Sequence, residues 1–319
     1  MQFSKTPLNI HEQVNLLRSR GLIIRDESHA IAKLEHIGYY RLSGYFKFFQ
    51  KGDNTYLPDV TFEKVLDIYI FDRKLRLHTL DAIERIEVSL KSNISNTLSI
   101  LGGCFWYKNR DFFDLGDHIA NDLKTPEQQD RDMEINKKYE EMLEKFSRKK
   151  SKSSSVFISS YNEKYNEENL PSWMLFEELT IGEVSNIYRI LKQEYRQTIA
   201  TIYGVYSLDL SNWMQMIITL RNISAHHARL WNRRYTWKPR TKDSILQNKY
   251  IKQKLEDGRI EVIPSYFNSC LVISYLLKII NPGSTWNHRL ESLIAEFPNI
   301  SKKSMGFDDD SFEKLRSIG

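Results

Sequence analysis

The segment RNISAHHARLWNRR, Arg221 to Arg234, crowds an arginine and two adjacent histidines against the end of an apolar helical pattern. A guanidinium is permanently charged and forks onto phosphate oxygens, whereas an imidazole titrates near neutrality and can move a proton. Together they fit cleavage of RNA by its own 2′-hydroxyl. That reaction needs charge stabilisation of a crowded phosphorane, a base for the hydroxyl and an acid for the leaving 5′-oxygen. Arg221 and His226 are the candidates for these roles, and the chemistry requires no metal or other cofactor.

Spacing complicates the pairing. On a regular helix five residues turn the chain by about 500°, which leaves Arg221 and His226 roughly 140° apart. Either the helix breaks between Asn222 and Ser224, or the pair converges with the help of a second copy. His227 points roughly 100° from His226, so the doublet is a poor chelate for one metal ion. A second spacing of the same kind, Arg73 to His78, falls inside a long helical pattern with no local breaker. Glu84 and Glu87, three apart, share a helix face. With the histidines they would make a metal-dependent hydrolase, and as solvated charges they need no function.

The chain has a net charge of +5, which permits an acidic partner without demanding one. Local clustering says more. Basic residues concentrate in RKKSK, Arg148 to Lys152, and in NRRYTWKPRTK, Asn232 to Lys242. In the second strip Arg233, Arg234 and Lys238 can neutralise phosphates, while Tyr235 and Trp237 can stack on unpaired bases. His227, Arg229, Trp231 and Asn232 either hold the motif helix or contact RNA. Trp231 reads as a half-buried anchor. The plainer reading of both strips is a solvated loop, with equal weight for the first.

Several elements must position these groups. Asn9 can cap a helix carrying Ile10, Val14 and Leu17 and stopped by Gly21, and Asp26 can cap a second helix closed by Gly38. The aromatic run YYRLSGYFKFF, Tyr39 to Phe49, is too apolar for an exposed loop and is expected to pack this N-terminal helical module (1–58) onto the rest, with Tyr39, Tyr40 and Arg41 as packing residues. Thr61 can cap a very long helix reaching about Leu101, with Leu66, Ile70, Leu77, Leu80, Ile83, Leu90, Ile94 and Leu98 inward. Residues 115–169 turn acidic and lysine-rich, with a helical part that ends at the SRKKSKSSS tract, and read as a charged, partly flexible insertion. Beyond it, Trp173, Phe176, Leu179, Val184, Ile187 and Leu191 resume the apolar pattern with a break at Gly182. A further helix starting near Ser207 or Asp209 turns Leu210, Trp213, Met214, Ile217 and Leu220 inward. No strands are expected. The chain is therefore read as all-α: a helical bundle (59–114 and 170–300), the N-terminal module, the insertion and a C-terminal tail (301–319).

Two cysteines, Cys104 and Cys270, each in an apolar stretch, read as buried thiols rather than as a bridge, a metal cluster or a nucleophile. The start MQFSKTPLNIHEQVNLL lacks the apolar run and cleavage site of a signal peptide, and no stretch is long and apolar enough to span a bilayer. The expectation is a soluble, cytoplasmic protein without membrane contact.

Several separated blocks resemble the Abi family of AbiD/AbiF-like abortive-infection proteins, in order: EQVNLLRSRGLII, LEHIGYYRLSGY, YIFDRKLRLHTLDAIERIEVSL, PSWMLFEELTIGEVSNIY and LRNISAHHARLWNR. That family is grouped with HEPN domains, which are helical bundles bearing an R-x4-6-H ribonuclease motif. The resemblance maps the motif onto Arg221 and His226, with Asn222 as the polar residue that follows the arginine. It implies a HEPN-like helical bundle and a metal-independent endoribonuclease acting as an anti-phage effector or toxin. It also implies a site shared between two copies of the motif, hence a homodimer, and a structured small non-coding RNA as a regulator. The rival is a HEPN-like module that holds such an RNA, or a protein partner, and cuts nothing. After MGF the chain departs from the family with Asp308, Asp309, Asp310 and Phe312, so no role is carried over to the tail.

Overall fold

The computed structural model describes residues 6–115, 125–240 and 244–318. Helix α1 (Ile10–Ser19) opens on a capping box in which Asn9 and Glu12 satisfy each other's backbone N–H. Asp26 caps α2 (Glu27–Ile37). The aromatic run folds as α3 (Tyr39–Phe46) followed by a single 3₁₀ turn. It buries Leu42, Tyr45, Phe46 and Phe49 and leaves Tyr40 outside.

The spine is α4 (Phe62–Gly102), 41 residues capped by Thr61, about 60 Å long at the helical rise. α3 packs on it, as do α7 (Ser172–Glu177), α8 (Ile181–Ile190), α9 (Gln193–Ile202), α10 (Ser207–Ala225), α11 (Tyr266–Ile280) and α12 (Trp286–Glu296). Leu66, Ile83, Leu90, Ile94 and Leu98 are buried as expected, but Leu77 is exposed. It sits about 200° around the helix from Leu75, on the side that no partner covers.

Two further expectations are corrected, the place of one helix break and the absence of strands. The break before α8 falls at Glu178 to Thr180, and Gly182 lies inside the helix, because Thr180 and Glu183 form the capping box that starts it. The described part of the charged segment is helical and docked. α5 (Pro126–Lys152) and α6 (Val156–Lys164) follow residues 116–124, which lie outside the described residues. In α5 the apolar residues Tyr139, Met142 and Phe146 recur at helical spacing beneath the charges, and their rings meet Phe113 and Tyr107. Finally, β1 (Lys252–Lys254) and β2 (Ile260–Val262) form a short antiparallel hairpin where no strand was expected. Its Asp257-Gly258 turn, with Gly258 at a φ of 84°, is the local signal for it.

The chain closes with α13 (Ser311–Arg316), and Met305, Phe307, Leu315 and Ile318 bury this tail in the common core. Both cysteines are free, Cys270 fully buried and Cys104 partly so. No helix among the described residues is long and apolar enough to cross a membrane.

Candidate active site

The inward face of α10, with Leu210, Trp213, Met214, Ile217 and Leu220 all buried, holds the helix against α4. Arg221 emerges in its last turn, half-buried, with Nη1 3.4 Å from the Asn222 side-chain oxygen. The helix does not break between Asn222 and Ser224; it runs to Ala225 and stops at His226. The His227 N–H donates to Ser224 O at 3.1 Å and the Ala228 N–H to Ile223 O at 2.9 Å. This is the Schellman pattern, and the left-handed residue it needs, usually glycine, is His227 at a φ of 56°. Both imidazoles are exposed at the turn, as is Asn222. No hydrogen bond joins Arg221 to His226 among the described residues.

Beyond the turn the chain dives inward. The N–H groups of Leu230 and Trp231, both fully buried, donate to one oxygen of Asp72 on α4 at 3.0 and 2.6 Å. The other Asp72 oxygen accepts from the Tyr45 hydroxyl at 2.6 Å and from the Arg76 guanidinium. Burial holds the Asp72 carboxyl above the usual carboxylate range, against the Tyr45, Arg76 and backbone N–H donors, which pull it down. Four donors converge on its two oxygens, an arrangement that favours the ionised carboxylate over the neutral acid. Two arginines complete the bracing. Arg41 of α3 donates to the His227 carbonyl at 2.7 Å, and Arg229 donates back to the Gly44 carbonyl. The motif turn is thus latched from α4 below and α3 beside it.

Asp72, Tyr45 and Arg41 were not singled out from the sequence as site residues. A signal for Asp72 existed: it stands between Phe71 and Leu75 on the buried face of α4, with Arg76 at i+4.

The second basic strip divides. Arg233 and Arg234 are exposed. Tyr235 and Trp237 are not available to stack on bases. They are 8% and 7% exposed, with Tyr235 bonded to Leu230 O and Trp237 Nε1 to Asn212 O. Lys238 pairs with Glu261, and Arg240 with Asp209 at 3.1 Å. Trp231 is a buried anchor, its ring edge-on to Phe48. In the first strip, Arg148 pairs with Glu144, Lys149 reaches Glu178 O and Glu183, and Lys150 reaches Glu167 O, so the α5 end is largely engaged with the protein itself.

The other candidates separate. Arg73 is exposed, whereas His78 is buried and stacked on Trp286 with ring centroids 4.6 Å apart. Burial, helped by the Arg289 charge, lowers His78 from 6.5 to about 4. It is a neutral core histidine and no partner for Arg73. Glu87 pairs with Lys91 at 3.0 Å and Glu84 faces solvent. Among the described residues no three His, Cys, Asp or Glu side chains gather where they could hold a metal ion.

The sequence profile of a family described as Abi-like protein matches residues 32–232. The matched span runs from within α2 through Asn232, so it includes α3, Asp72 and the whole motif turn. No curated protein and no solved structure matches the chain.

Proposed function

The chain belongs to the Abi-like protein family, and from that premise we propose that it is an abortive-infection ribonuclease whose motif turn cleaves RNA through the RNA's own 2′-hydroxyl. His226 takes the hydroxyl proton, Arg221 neutralises the phosphorane, and a second copy of the turn in a homodimer supplies the acid for the leaving 5′-oxygen. His227 and Asn222 flank the reacting phosphate. Arg229, Arg233 and Arg234 carry the flanking RNA backbone. No metal enters these steps, because imidazole and guanidinium between them cover the proton transfers and the charge. A structured small RNA is a fitting regulator, since it would occupy the same basic surface.

The observation that carries this reading is the pair of exposed imidazoles on a turn held by Asp72, Arg41 and Arg229. A surface tail of histidines needs no such bracing, whereas a reacting group does. One fact favours the rival, a module that binds RNA or a protein without cutting: within one copy Arg221 and His226 do not meet.

The test is incubation of RNA with purified protein, with and without chelator, comparing the native chain with His226→Ala. The expected result is chelator-resistant cutting, products ending in 2′,3′-cyclic phosphate, and a loss of about 10²-fold to 10⁴-fold in the variant with binding retained. Products with 5′-phosphate and 3′-hydroxyl ends overturn the mechanism, and binding without any cutting establishes the rival.

A further inference from the structure

We propose that α3 is part of the RNA-binding surface, with the Tyr40 ring serving as the platform on which an unpaired base stacks beside the motif turn. This rests on the ribonucleic-acid reading above and adds the form of nucleic acid, single-stranded, and the residue that reads it.

Tyr40 is 92% exposed, although it lies in an aromatic run whose other members are mostly covered. An exposed tyrosine ring with no ring or cation partner among the described residues is a surface still open to a ligand with an apolar face. Its place follows from the helix. Arg41 and Gly44, the two α3 residues that bond the motif turn, lie about 100° and 40° around the axis from Tyr40. Leu42, Tyr45 and Phe46, which bury the opposite side, lie about 140° to 240° from it. Tyr40 therefore stands at the outer edge of the face that α3 turns to the turn, and is next in sequence to a residue that touches His227.

Charge decides the occupant. From His36 to Gly52 and from Leu210 to Lys242 the chain contains no Asp or Glu. These acid-free stretches are the two that the reciprocal arginine bonds join. Arg41 and Arg229 make these bonds, and Lys47 on one stretch and Arg221 and Arg233 on the other add to their cations. A neutral aromatic face in a field of cations fits a ligand that alternates flat bases with phosphates. A duplex hides its base faces in the stack, so the ligand is single-stranded.

The experiment uses the full chain and a uniformly 2′-O-methylated single-stranded RNA of random sequence, which cannot be cut by 2′-hydroxyl attack, with binding read by fluorescence anisotropy. Tyr40→Ala is expected to weaken binding by about 5-fold to 100-fold, the range for loss of one base–aromatic stack. Tyr40→Trp is expected to restore it. The salt dependence should keep its slope, because no phosphate contact is lost. Equal affinity in Tyr40→Ala, or failure of Tyr40→Trp to restore it, overturns the stack and leaves the ribonuclease reading standing. Binding of the single strand with no cutting of the unmodified RNA does the reverse. A native chain that binds no RNA overturns both.

Discussion

His227 occupies a backbone position that favours glycine, and its side chain gains no contact within the described residues that would offset the strain. Holding a non-glycine residue in the left-handed region costs about 1 kcal/mol or more. His227→Gly is therefore expected to stabilise the protein by about 1 kcal/mol while lowering RNA cleavage, the pattern of a residue kept for function at the expense of stability. Urea unfolding and a cleavage assay on the same preparation decide it; a gain in stability with full activity would show the imidazole to be idle. His78 yields a prediction of opposite character. Its folded value of about 4 lies below its ordinary 6.5, so between those values the unfolded chain takes up a proton that the folded chain refuses. Its contribution is intact above pH 6.5 and is lost as pH falls toward 4, amounting to about 2 kcal/mol by pH 5. His78→Phe keeps a ring against Trp286 and is expected to flatten this decline in urea midpoint between pH 7 and pH 5. A decline as steep as that of the native chain would assign the acid sensitivity to other groups.

At the scale of elements, the latch between α4 and the motif turn is the arrangement on which the site depends. Removing its carboxylate leaves Arg76, Tyr45 and two backbone N–H groups without their acceptor inside the core. Asp72→Ala is expected to destabilise the fold by about 3–5 kcal/mol, measured by urea unfolding, and a loss under 1 kcal/mol would mean the turn holds itself. The starts of α1, α2 and α4 could be read in the sequence because the cues are local: Asn9, Asp26 and Thr61 each meet an N–H three residues on. The latch could not be placed, since Asp72 and its two N–H donors are 158 and 159 residues apart. Tyr235 and Trp237 were misread for a related reason. Alternation of cation and ring looks the same whether the ring faces RNA or, as here, the core. Arg221 and His226 stand out in the sequence by residue type alone, but the brace around them comes from α3 and α4, which only the fold brings near.

At the scale of the molecule, one copy offers its arginine and imidazole on diverging directions of a single helix end. The reaction benefits from both a base and an acid, and a two-fold interface would set the same turn from each copy near the axis. Mixing native protein with excess His226→Ala under verified subunit exchange is expected to lower the activity per native chain, as native chains become trapped in mixed pairs. Undiminished activity, or an active monomer by size analysis, would place the whole reaction within one copy. The reach of Asp72 also sets a timetable for synthesis. Its last N–H partner belongs to Trp231, 159 residues downstream, and a ribosome adding about 5–20 residues per second covers that distance in roughly 8 to 30 s. Throughout that interval the Asp72 carboxylate has its Tyr45 and Arg76 partners but not the two backbone N–H groups it will hold. A polypeptide released early, at any point before Leu230, ends with its motif turn unattached to α4.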